Sequence, residues 1–86
     1  MKDDLAYIDH ILRSIRKILE YTKNTGKKAF EEDTLLQDAV IRNIEIIGEA
    51  TKKISSELKN KYPDIPWREM SGMRDKLITR SFGRGY

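Results

Sequence analysis

Cysteine is absent from the 86 residues, which excludes a disulfide framework and any thiolate metal site. Histidine occurs once, at His10, and Glu45 and Glu49, one helical turn apart, are too few to complete a metal site of oxygen and imidazole ligands. No metal and no cofactor is expected. No apolar run approaches the roughly 20 residues that span a bilayer, and the opening Met1-Lys2-Asp3-Asp4 does not lead into a signal peptide. The expectation is a cytoplasmic protein without membrane contact. Internal repeats and low-complexity segments are also lacking.

What is present is a chain of 36% charged and 38% hydrophobic residues, arranged with a strong helical period, which favours a bundle over disorder. At this length only about 60% of the unfolded chain's surface can be buried, so a partner subunit would help stability. Asp3 or Asp4 can cap a first helix of about 20 residues, whose apolar stripe is Leu5, Ile8, Leu12, Ile15 and Leu19, widened by Ile11 and Ile18. Asn24-Thr25-Gly26 ends it, with Gly26 suited to the left-handed position, and residues 27–32 form a loop from which Phe30 folds back onto the bundle. A second helix opens at Asp33 or Thr34 and runs to about Lys59. It is apolar on several sides, through Leu36, Val40, Ile44, Ile47, Ile54 and Leu58 on one stripe and Leu35, Ala39, Ile41, Ile46 and Ala50 off it. It is therefore the central element, and Gly48 within it suggests the close approach of another backbone.

Residues 60–65 form a loop, since Tyr62 and Ile65 precede prolines and are biased toward extended backbone. A third helix then runs from Pro66 to about Ile78, with Trp67, Met70, Met73, Leu77 and Ile78 at helical spacing. Arg68, Arg74, Lys76, Arg80 and Arg84 oppose only Glu69 and Asp75 in residues 66–86, a local excess equal to the whole protein's net charge of +3. The basic surface is confined to this end of the chain.

The run Tyr62-Pro63-Asp64-Ile65-Pro66-Trp67-Arg68, followed by Gly72-Met73-Arg74-Asp75-Lys76-Leu77-Ile78, resembles the signature of the HepT family, HEPN-superfamily ribonuclease toxins paired with a minimal nucleotidyltransferase antitoxin. Arg42-Asn43-Ile44-Glu45-Ile46-Ile47-Gly48-Glu49-Ala50 is similar to that family's other well-marked block. The resemblance implies an all-α antiparallel bundle, a homodimer, and a metal-independent RNA endonuclease neutralised by the nucleotidyltransferase. It covers a single domain over residues 1–86, with three helices where the HEPN bundle has four, and so implies truncation at the C-terminus. In the family motif an Arg and a polar residue are followed, four to six positions after the Arg, by His-x-Tyr. Arg74 and Asp75 match its opening, while Thr79 stands at the His position and Ser81 at the Tyr position, where related systems accept AMP from the partner transferase.

Metal-free RNA cleavage needs a base for the 2′-hydroxyl proton, an acid for the leaving oxygen and positive charge for the phosphorane between them. Arg74 can supply the charge, with Lys76 and Arg80 beside it as RNA-binding residues. Thr79 cannot supply the base, because its hydroxyl does not titrate near neutral pH. Two readings follow: a HepT-type ribonuclease with an impaired motif, or a non-catalytic helical dimer that binds a nucleotidyltransferase. A DNA-binding helix pair fits less well, since only one short helix is basic. Plainer roles also stand: Arg74 and Asp75 as an exposed pair, Trp67, Met70 and Met73 as core, and the Lys27-Lys28 and Lys52-Lys53 pairs as solvated. His10 reads as exposed, on a face with Asp3, Tyr7 and Ser14, or as standing near a partner's motif, while Glu45 and Glu49 could reach Arg42. RNA binding by this surface should be weak and salt-sensitive. Replacing Arg74 and Arg80 by Ala is expected to lower both affinity and salt slope in a filter-binding titration, and unchanged values would place the RNA surface elsewhere.

Overall fold

A computed structural model describes residues 3–77, with side chains through Met73. It contains α1 (Asp4–Thr22), α2 (Lys27–Glu32), α3 (Thr34–Lys53), α4 (Ser56–Lys61) and α5 (Trp67–Leu77), with no strand among the described residues. The all-α antiparallel bundle is as expected. α3 is its central element, with α1 and α5 both packed upon it. Ile11 of α1 meets Ile47, Ala50 and Ile54 at the heart of the core, and Tyr7, Ile8, Ile18, Leu58, Trp67 and Met70 close around them. Gly48 is buried within α3.

Two expected boundaries move. Residues 27–32 form a helical turn and a half rather than a loop, because the C-terminal end of this helix is capped from the following one. Gln37 Nε2 donates to the carbonyls of Phe30 at 2.8 Å and Glu31 at 2.9 Å, satisfying acceptors that a helix end leaves open. Asp33 then caps α3, its Oδ1 accepting from the Leu36 N–H at 2.9 Å. The left-handed residue after α1 is Asn24, at φ 61°, and not Gly26, which has φ −81° and serves as N-cap of α2. Asparagine tolerates that region better than most side-chain-bearing residues.

The expected second helix also ends early, at Lys53, and the cause lies 51 residues away. The Ser55 N–H donates to Asp4 Oδ1 at 2.9 Å and the Ser55 hydroxyl donates to Asp4 Oδ2 at 2.6 Å. That N–H has left the helical ladder, and the same hydroxyl oxygen accepts from the Leu58 N–H at 3.1 Å, capping α4. Periodicity alone could not show this, since Ile54 and Leu58 continue the apolar stripe across the break. Pro66 differs by one place: it precedes α5, its carbonyl accepting from the Met70 N–H at 3.0 Å.

The larger correction concerns α1. Its buried residues are Asp4, Ile11 and Ser14, whereas four of the five residues expected to face the core are exposed: Leu5 76%, Leu12 46%, Ile15 38% and Leu19 64%. Both stripes are helical, and they lie roughly a third of a turn apart around the axis. Within one chain, α3 covers the Asp4–Ile11–Ser14–Ile18 side and leaves the leucine-rich side open.

The hydroxyl and backbone N–H of Ser55 hold the Asp4 carboxyl below its usual range, since both donors favour the charged form. A carboxylate with a depressed folded value contributes stability that is full above its unfolded value and is lost as pH falls through the folded one. Asp4→Asn is therefore expected to unfold at lower urea than the parent at pH 7, with the gap closing below about pH 4. Ser55→Ala should cost about 1 kcal/mol through the lost cap alone. An Asp4→Asn gap that does not narrow at all as the pH is lowered into the acid range would show that the Asp4 carboxylate does not stabilise the fold.

Candidate functional site

The motif begins on α5, and α5 is placed by its first turn. The Trp67 indole N–H donates to the Tyr62 carbonyl at 2.9 Å, tying the helix to the loop that precedes it. Trp67 and Met70 are half-buried against the core, as expected of them, but Met73 is 36% exposed and stands at the rim. Ser71 Oγ donates to the Trp67 carbonyl at 2.9 Å, so its hydroxyl is spent within the helix. The backbone carries Arg74, Asp75 and Lys76 in the last turn of α5. Thr79, Arg80 and Ser81 lie outside the described residues, as does Arg84.

A concave feature lies between α1 and α3, built from residues that no sequence motif joins. It is an open cleft of ≈ 220 Å³. One wall is α1, through Tyr7 and His10, whose rings meet edge-on with centroids 6.4 Å apart. The other is α3, through Arg42, Glu45, Glu49 and Lys53, with Ile46 and Ala50 beneath them. These α3 positions recur every three or four residues and so share one face. Arg42 reaches Glu45 at 3.9 Å, Lys52 reaches Glu49 at 4.0 Å, and the Lys53 ammonium stands 6.0 Å over the Tyr7 ring. Ion pairs this long contribute little at exposed side chains, so Arg42 and Glu49 can be redirected.

His10 is exposed, as expected, yet its helix face is not a solvent face: Tyr7 is half-buried and Ser14 is 3% exposed. The pairing of Glu45 with Arg42 was legible from their spacing. Their meeting with Tyr7 and His10 was not, because it depends on the register of α1 against α3. Among the described residues no group of three or more His, Asp or Glu side chains could hold a metal ion, and no helix is long and apolar enough to cross a membrane.

An all-α bundle with a doubly covered central helix, closing on an Arg-Asp-Lys turn after a Trp-anchored helix start, defines a helical domain of the kind that carries its motif at a helix end. The family follows directly. The model of the family described as ribonuclease HepT-like matches residues 11–83, and the chain belongs to that family. It is 52% identical over 82 residues to a Methanocaldococcus jannaschii protein named "Gamma-glutamylcyclotransferase and putative RNase", a match covering 95% of this chain and 37% of that protein. It is 41% identical over 86 residues to a "Putative RNase" of Caldanaerobacter subterraneus subsp. tengcongensis, covering 77% of that protein. It is 48% identical over 77 residues to a "Probable ribonuclease HepT" of Thermococcus cleftensis, covering 90% of this chain and 70% of that protein. The chain thus spans little more than a third of the first relative and about three quarters of the other two. No solved structure matches it.

Proposed function

We propose that this chain is a HepT-type ribonuclease homologue that retains the phosphate-binding half of the motif and lacks the proton-transfer half. The observation that carries the reading is Arg74-Asp75 at the motif's opening, with Thr79 and Ser81 where His and Tyr are expected. A guanidinium offers the phosphorane a planar fork of donors at any pH of interest. General acid–base catalysis contributes about 10²–10⁴-fold, so charge without a titrating group leaves at most a trace of cleavage. The substrate class is RNA, and the protein partner a minimal nucleotidyltransferase.

The same replacements favour a second reading, in which the domain is a helical dimer that docks the nucleotidyltransferase and performs no chemistry. Introducing Thr79→His and Ser81→Tyr together discriminates between them. Recovery of RNA cleavage, and its loss again on adding Arg74→Ala, is expected of the first. A well-folded double variant that remains inert supports the second, and robust cleavage by the unaltered chain contradicts both.

Assembly as a homodimer fits either reading and is supported by the open side of α1. Leu5, Leu12 and Leu19 recur every seven residues with Ile15 among them, a seam that a second copy can cover with its own. Such an interface should bury about 1,200–2,000 Å². Sedimentation at tens of micromolar is expected to show a dimer, and Leu12→Glu with Leu19→Glu a folded monomer. A monomeric parent would exclude this use of the seam.

A further inference from the structure

The cleft between α1 and α3 has a composition that the motif on α5 does not explain. None of the described α5 side chains lines it. The register of its walls follows from the clasp at one end. With Asp4 held to Ser55, and α1 antiparallel to α3, Tyr7 lies level with Ala50 and Lys53, and His10 lies about one turn further on, toward Ile46 and Arg42. An aromatic ring and an apolar floor thus stand at one end, carboxylates along one wall, and a guanidinium at the far end.

We propose that this cleft binds a single guanine nucleotide of an RNA strand, with the base on the Tyr7 ring, its Watson–Crick edge on the Glu49 carboxylate and its phosphate toward Arg42. The inference deepens the proposed function, since a base-reading cleft would serve a protein that handles RNA. Planar heterocycles stack on aromatic side chains without regard to sequence, and selection comes from hydrogen bonds to the base edge. A carboxylate only accepts. Guanine presents two parallel donors on its Watson–Crick edge, N1–H and the 2-amino group, and can satisfy both carboxylate oxygens at once. Adenine and cytosine present one amino group beside an acceptor, and uracil one N–H between two carbonyls, so each sets a lone pair against the carboxylate.

The other groups fit this occupant. Glu49 is exposed and meets Lys52 at 4.0 Å, a contact that a base edge can displace. Arg42 can exchange its 3.9 Å contact with Glu45 for a phosphate, to which it offers two parallel donors. Lys53 sits 6.0 Å over the Tyr7 ring on a flexible stem and can leave the ring face to a base. At ≈ 220 Å³ the cleft is smaller than the roughly 300–1,000 Å³ of a pocket that encloses a drug-sized ligand, and it suits one base with its sugar left in solvent.

The test is a titration of the full chain with 5′-GMP, AMP, CMP, UMP and inorganic phosphate, followed by amide chemical shifts. GMP is expected to bind about tenfold more tightly than the other nucleotides, with the largest shifts around Tyr7, His10 and Glu49. Glu49→Gln should remove that preference, Tyr7→Leu should weaken all four nucleotides, and Tyr7→Phe should bind as the parent does. Tyr7→Phe keeps the ring, so its retained binding separates loss of stacking from loss of fold. Equal binding of GMP and UMP, phosphate binding as tightly as GMP, shifts confined to α5, or a GMP preference that survives Glu49→Gln would each overturn the proposal. None of these readouts involves RNA cleavage. Failure of the Thr79→His, Ser81→Tyr variant to cut RNA therefore leaves the nucleotide result standing, and an absent GMP preference leaves the motif reading standing.

Discussion

The two hydrogen bonds between Asp4 and Ser55 determine more of this fold than their number suggests. They join the first turn of α1 to the end of α3 and so set both the antiparallel sense and the axial register of the longest helix pair. They also divert the Ser55 N–H from the α3 ladder, while the Ser55 hydroxyl opens α4. The chain is thereby released toward Tyr62, whose carbonyl receives the Trp67 indole N–H and starts α5. The clasp is a charge-assisted pair at the edge of the core, where net contributions exceed those of an exposed ion pair such as Arg13 with Asp9. Among the described residues, α4 and α5 follow from that exchange of partners.

Helix content and the central place of α3 were legible in the sequence because they depend on local period and on the breadth of the apolar surface. Which stripe of α1 faces its own chain was not. Leu5, Leu12, Ile15 and Leu19 make the more hydrophobic of the two stripes, yet the intrachain core uses Ile11 and Ile18 with Asp4 and Ser14 among them. A buried aspartate reads as solvent-facing until its partner, 51 residues away, is known. Apolar periodicity reports that a face is covered without reporting by what. An amphipathic helix with two apolar sides satisfies that pattern equally well through its own chain and through a second one.

The two candidate sites differ in the same way. The proposed motif is contiguous in sequence, so Arg74-Asp75, Thr79 and Ser81 are read from their spacing without any fold. The two walls of the cleft come from residues 32 or more positions apart. No spacing rule joins Tyr7 to Glu49, and only the register set by Asp4 and Ser55 brings them to opposite walls of one groove.

The faces of α3 thereby take on separate duties. One face, through Val40, Ile47 and Ile54, is spent on the core. Another, through Arg42, Glu45 and Glu49, keeps its charges at the surface in long ion pairs that add little to stability. A helix selected for packing alone would gain nothing from placing two carboxylates beside a half-buried tyrosine and an exposed histidine, and exposed positions elsewhere on the same helix would solvate them as well. The clasp that fixes the bundle is also what aligns the walls of the cleft, since Asp4 and Tyr7 lie one turn apart on α1 and Ser55 follows directly on the end of α3.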